Sequence, residues 1–189
     1  DENSIKVPEI NKKFIKKFPK INKKENALKI LLINMSGYFS DDTDSQERVL
    51  MEPPLGLLAL LSYLNREYKE NIDGKILKSR LDFDNYDELV KKINNFKPDI
   101  IGISVMTFYK KFVHRAIKHL RDEGIKTPIF LGGPYPTGDY NEVLKDDNID
   151  ICMLGEGENT LSELVNTMMK NNNKLPDEEV LSKIPGMAF

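Results

Sequence analysis

Five short apolar runs, separated by amphipathic stretches, set the pattern of this chain. The first, Ala27 to Ile33, carries Leu28, Ile30, Leu31, Leu32 and Ile33 almost without interruption, as expected of a parallel strand covered on both faces. Lys75 to Leu81 mixes Lys and Arg with Ile and Leu, which predicts a second strand at or near a sheet edge. Asp99 to Ser104, Pro128 to Leu131 and Ile149 to Leu154 supply three more. Helical spacing fills the intervals. Leu55 to Tyr68 follows Pro54, a residue suited to a helix first turn, and directs Leu57, Leu58, Leu60, Leu61 and Leu64 toward the sheet. Tyr86 to Phe96 ends before Pro98, Phe108 to Glu123 is stopped by Gly124, a short helix is expected at Glu142 to Lys145, and a long one at Glu158 to Lys170. Strands alternating with helices predict an α/β fold with right-handed crossovers. The expectation is a doubly wound, five-stranded parallel sheet in the Rossmann-like, flavodoxin-like order 2-1-3-4-5.

The flanks differ from this core. Residues 1–27 form a lysine-rich extension in which Ile10, Phe14 and Phe18 recur every four residues, the spacing of a short amphipathic helix. Residues 28–170 hold the alternating domain. Residues 171–189 begin polar and end on apolar Ile184 to Phe189, read as a further strand or a linker. The chain starts without Met and stops on that apolar segment, so the expectation is a piece of a longer protein. Residues 34–53 are a long polar loop, of the kind that is often functional.

Composition narrows the chemistry. The net charge is −2 over 189 residues, which suggests neither a nucleic-acid nor a membrane partner. A single cysteine, Cys152, forms no internal disulfide and by itself holds neither zinc nor an iron–sulfur cluster. It reads as a small buried hydrophobe. No signal peptide or transmembrane run is legible, and a reducing cytoplasmic setting is expected. His114 and His119 are five apart, a spacing that does not put two ligands on one helix face, and both read as surface or packing residues.

What remains is a set of glycine-bearing loops behind the apolar runs: Gly102-Ile103-Ser104-Val105-Met106-Thr107, Gly132-Gly133-Pro134-Tyr135-Pro136-Thr137 and Gly155-Glu156-Gly157-Glu158. Ligands of open parallel sheets bind outside the strands' carboxyl ends, so these loops are expected to line one crevice. Gly155 to Thr160 begins like a dinucleotide fingerprint. It departs at the third glycine, where Thr160 stands, and it follows the last strand of the alternation. No P-loop occurs. A phospho-receiver would need an acidic residue at the end of strand 3, where Ser104 stands, and Asp41, Asp42 and Asp44 lie far from strand 1. Asn34-Met35-Ser36-Gly37-Tyr38 is a poor flavin phosphate loop. Tyr135, between two prolines, is suited either to stacking on a flat ligand or to capping the sheet.

Taken in order, Lys29 to Asn34, Pro53-Pro54-Leu55-Gly56-Leu57-Leu58, Pro98 to Thr107, Gly132 to Thr137 and Gly155 to Glu158 resemble the N-terminal cobalamin-binding domain of B12-dependent radical S-adenosylmethionine enzymes. That group includes the anaerobic magnesium-protoporphyrin monomethyl ester cyclase. Ile184 to Phe189 resembles the strand that precedes the radical barrel. The resemblance implies a corrin across the carboxyl edge of the sheet, with its dimethylbenzimidazole tail displaced from cobalt and buried between sheet and helix. Ser104 and Met106 would line the tail pocket, Gly132 and Gly133 would leave room for the tail, and Thr107, Pro134 and Tyr135 would belong to the same cofactor-binding set. Gly155, Glu156, Gly157 and Glu158 would border the ribose and phosphate or the corrin amides. Ser36, Gly37, Tyr38, Pro54, Leu55 and Gly56 would face the corrin. The chain lacks the D-x-H-x-x-G signature, with no His before His114, and has Tyr135 where the family often has His. Cobalt would therefore carry no protein imidazole. The C-x-x-x-C-x-x-C loop that holds the [4Fe-4S] cluster with S-adenosylmethionine is absent, so that chemistry, methyl transfer or oxidative cyclisation, would belong to a C-terminal radical barrel. The competing readings are a degenerate scaffold or docking domain without cofactor, and an FMN or receiver-like domain.

Overall fold

The chain's alternating pattern resolves, in a computed structural model, into a sheet with helices on both faces; it describes residues 12, 13, 15–17, 21–35, 39, 40 and 53–189. The elements are β1 (Leu28–Asn34), α1 (Leu55–Tyr68), β2 (Ile72–Lys78), α2 (Tyr86–Phe96), β3 (Ile100–Ser104), α3 (Lys110–Asp122), β4 (Ile129–Gly132), α4 (Pro134–Val143), β5 (Ile151–Met153), α5 (Gly157–Lys170), α6 (Glu178–Leu181) and β6 (Met187–Ala188). The sheet order is β2-β1-β3-β4-β5-β6. Its first five strands are parallel, in the expected 2-1-3-4-5 order. The sixth strand extends the expected sheet and runs antiparallel to β5, pairing Cys152 with Ala188 and Met153 with Met187.

Strand alternation builds two cores. Leu31, Ile33, Ile101, Ile103, Leu131 and Cys152 face α2, α3 and α4. Leu28, Ile30, Leu32, Ile100, Phe130, Ile151 and Met153 face α1 and α5. Each fully buried Leu or Ile contributes about 1.5–3 kcal/mol of transfer free energy, so both faces of the central strands are committed to the interior. At the amino edge Arg121 closes the structure. Its guanidinium donates to the carbonyls of Ile125 (2.9 Å), Thr127 (2.8 Å) and Asn148 (3.1 Å), and pairs with Asp150 at 2.7 Å.

Three expectations need correcting. Strand 2 lies three residues earlier than the sequence suggests, because pairing with β1 sets its register, Ile72 opposite Leu28 and Lys78 opposite Asn34. The Gly-Pro-rich segment after β4 is not a loop leading to a helix at 142–145. Helix α4 starts directly at Pro134, where a missing N–H costs nothing, and bends at Asp139 (φ −154°, ψ 50°). In α1, Leu57 and Leu64 are buried as expected, but Leu58 turns outward, 44% exposed. Residues 12, 13 and 15–17 are helical, within the span where the N-terminal helix is expected, whereas Ile10, Phe14 and Phe18 and the acidic Asp41, Asp42 and Asp44 lie outside the described residues.

Candidate functional site

On the α1/α5 face, the carboxyl ends of the strands carry unusually little side-chain volume. Ser104 on β3 and Gly132 on β4 are register partners at the sheet edge. A Cβ built on Gly132 meets nothing within 4 Å, so the space above it is open. The amino ends of α1 and α5 flank this gap, and the result is a cleft of about 510 Å³. Its floor comes from Gly102, Ile103, Ser104, Phe130, Gly132 and Met153. One wall is Pro53 to Leu57 with Leu60, and the other is Gly155, Glu156, Gly157 and Glu158. Asn34, Met35 and Lys78 close the β1/β2 end, while Met106, Phe108 and Tyr109 form a rim.

The loops are held in place by their backbones. Gly133 has φ +99°, a conformation that L side chains rarely adopt. A Cβ there would also stand 3.1 Å from the Val105 carbonyl oxygen. The Val105 N–H donates to the Gly132 carbonyl (2.9 Å), and the Tyr135 N–H donates to the Val105 carbonyl (3.2 Å). The Gly155 N–H donates to Thr137 Oγ1 (3.1 Å), joining the β4 and β5 loops.

Charge is distributed unevenly along the cleft. Lys78 Nζ donates to Asn34 Oδ1 at 2.8 Å, and no ion pair engages it among the described residues. At the far end Glu156 and Glu158 sit at the α5 amino terminus, where carboxylates are favoured, likewise outside the ion pairs of the described residues. Between them Leu57, Leu60, Ile103, Phe130 and Met153 make the lining mainly apolar, with the Ser104 hydroxyl in the floor. The cleft therefore suits an elongated ligand with a flat apolar part and polar groups at both ends.

Of the residues singled out from sequence, Pro54, Leu55, Gly56, Ser104, Met106, Gly132, Gly133, Gly155, Glu156, Gly157 and Glu158 come together here. Thr107 and Pro134 do not line the cleft, and Tyr135 lies on the opposite face of the sheet, buried in the α2/α3/α4 core. Ser36, Gly37 and Tyr38 lie outside the described residues. Sequence reasoning missed Phe130, Met153, Leu60, Asn34 and Lys78. Phe130 and Met153 were accessible by alternation, since each shares a strand face with residues of the apolar core. Lys78 needed the true register of β2.

Tyr135 instead ends a polar chain. Its hydroxyl lies 3.2 Å from His114 Nε2, and His114 Nδ1 lies 2.5 Å from Asp146 Oδ2. Burial raises the Tyr135 phenol above its ordinary value, with Asp139 adding to it. Burial also works to raise the Asp146 carboxyl, but the hydrogen bonds from His114 and Asn148 outweigh it and hold that group low. The only two histidines in the sequence, His114 and His119, are both on α3. Neither lines the cleft. Among the described residues no group of three or more His, Cys, Asp or Glu could hold a metal ion, and no helix is long and apolar enough to cross a membrane.

A family model described as the B12 binding domain matches residues 47–165. The chain is 30% identical over 119 residues to an uncharacterized methyltransferase of Pyrococcus horikoshii, covering 62% of this chain and 25% of that protein. It is 29% identical over 140 residues to the anaerobic magnesium-protoporphyrin IX monomethyl ester cyclase of Synechocystis sp., covering 72% and 26%. The chain thus spans about a quarter of the length of these curated relatives. Among solved structures, the fold matches the radical S-adenosylmethionine methyltransferase TsrM from Kitasatospora setae, with cobalamin and a [4Fe-4S] cluster bound. That match has a TM-score of 0.64 at 18% identity, over 85% of this chain and 28% of that one. It also matches the cobalamin-dependent radical enzyme OxsB with aqua-cobalamin bound, with a TM-score of 0.64 at 20% identity, over 86% and 21%.

Proposed function

The chain belongs to the B12 binding domain family, and from that premise we propose that it holds cobalamin base-off and His-off at the carboxyl edge of its sheet. The observation that carries this reading is the trough at Ser104 and Gly132 between the amino ends of α1 and α5. The residues fit the group. Open space above Gly132 and an apolar floor suit a displaced flat base, and Lys78, Ser104, Glu156 and Glu158 offer donors and acceptors to the phosphate, ribose and carboxamides of a corrin nucleotide. Both histidines lie on α3, away from the cleft, which supports a cobalt without a protein imidazole. When bound, cobalamin supplies methyl-carrying and redox chemistry at cobalt; the chain's own part is to bind the tail, orient the corrin and keep water from the buried base.

In this reading residues 28–170 are the cofactor module, 1–27 an extension, and 171–189 the connection to a radical barrel that would bring S-adenosylmethionine and the [4Fe-4S] cluster. The exposed Leu55 (70%) and Phe108 (71%) around the mouth would meet the corrin face or that barrel. The same apolar rim favours the second reading, a docking domain without cofactor. Titration with hydroxocobalamin, followed by gel filtration and UV–visible absorbance, separates the two. Co-elution with a base-off spectrum is expected. A folded protein that elutes free of corrin would leave the docking role.

A further inference from the structure

Gly102 on β3 and Phe130 on β4 are register partners, one layer deeper in the sheet than Ser104 and Gly132. Their contact is unusually close. A Cβ built on Gly102 would stand 2.1 Å from Phe130 Cζ and 2.6 and 2.7 Å from the two adjoining ring carbons. The tip of the ring therefore occupies the space that a side chain at 102 would fill, a seat that exists only because residue 102 has no Cβ. Phe130 is 4% exposed and packs in the α1/α5 core, yet it also lines the cleft. The trough thus has two layers: an open one at the edge, over Gly132, and a plugged one beneath it. The plug is a single aromatic ring.

We propose that Phe130 is the floor of the compartment for the lower base of the corrinoid, and that the Gly102–Phe130 pair sets the size of base the cleft accepts. The inference rests on the cobalamin reading above and deepens it. Corrinoids share the macrocycle and differ in the base on the nucleotide tail, so a pocket of fixed depth discriminates among them at the base. A ring seated in the floor gives a bicyclic base an aromatic group to pack on and stops it at that depth. The discrimination depends on the ring staying down, and Gly102 is what keeps it down.

Three forms of the protein and two corrinoids test this. Gly102→Ala drives the ring toward the cleft, and Gly102→Ala combined with Phe130→Val removes the ring and gives the new methyl group room. Hydroxocobalamin carries the tail; diaquacobinamide lacks it. The expected result is that Gly102→Ala weakens hydroxocobalamin binding by about tenfold or more, leaves diaquacobinamide binding unchanged, and is rescued by the added Phe130→Val. Thermal melts of both variants verify that they are folded. Equal losses for the two corrinoids, no loss for either, or no rescue in a folded double variant would each overturn the role of the pair while leaving cobalamin binding intact. Wild-type protein that binds neither corrinoid overturns the underlying reading as well.

Discussion

Gly132 is a cleft residue at which stability and binding can be separated. Its Cβ position is open, so a side chain there meets solvent space and not protein. Gly132→Val is therefore expected to keep the wild-type melting temperature within a few degrees and, on the proposed placement of the tail, to lower cobalamin affinity by at least about tenfold, since its methyl groups would occupy that volume. A melt and a corrin titration on one preparation check both halves. Asp146 carries a different kind of information. Its carboxyl is held below the ordinary aspartate value despite burial, by His114 and Asn148. A lowered folded-state value means stability that is present above the unfolded value, about 4, and lost as pH falls through the lower folded value. Asp146→Asn is expected to lower the melting temperature at neutral pH, with the gap to wild type narrowing below about pH 4. A gap that widened in acid would contradict this. Cys152 adds a third residue-level reading. It is fully buried, burial pushes its thiol up to about 11, and the inert small hydrophobe expected from sequence agrees with both.

At the scale of elements, caps and fixed donors decide where the helices sit. The Asn85 side chain accepts from the Glu88 N–H at 2.8 Å and starts α2, as an N-cap does. At the far end of the sheet, Arg121 ties the end of α3 to the beginnings of β4 and β5 through a planar fork of donors. Lysine has one point charge and no fork. Arg121→Lys is expected to cost about 2 kcal/mol through hydrogen bonds left unmade, roughly a 4–8 °C fall in melting temperature for a chain of this size. Because this cluster lies at the amino edge, corrin binding by the folded variant should be unaffected. A matching loss of affinity would mean that the two edges are coupled. Helix α4 shows the limit of local signals. Pro134 and Pro136 read as loop, but Pro134 at the first helical position and the bend at Asp139 accommodate them.

At the scale of the molecule, the strand order places the cleft. Helix α1, which follows β1, and helix α5, which follows β5, pack on the same face of the sheet, and their amino ends open over the same edge. Strand β6 returns along β5, with the Leu154 N–H donating to the Gly186 carbonyl (2.8 Å) and Thr160 Oγ1 donating to the Pro185 carbonyl (2.8 Å). Leu181 and Ile184 are buried in the α1/α5 core, so the tail of the described chain packs on the domain instead of running free. This reverse strand was half legible: the apolar segment was visible, its direction was not.

Elements whose cause is local can be read directly from the chain. Continuous apolar runs specify buried parallel strands, and periodic leucines specify α1. Glycines behind successive strands announce an edge built for close approach, and the alternation of strand and helix leaves few topologies to choose from. Features that depend on residues distant in the chain emerge only on folding. The β2 register, and with it the entry of Lys78 into the cleft, follows from pairing with β1. Tyr135 left the cleft for the opposite face because α4 begins immediately after Gly133 and a buried phenol finds its partner in His114. Phe130 became part of the floor because Gly102, on a neighbouring strand, has no side chain. Each of these outcomes is a contact between segments whose separation along the chain carries no local signal.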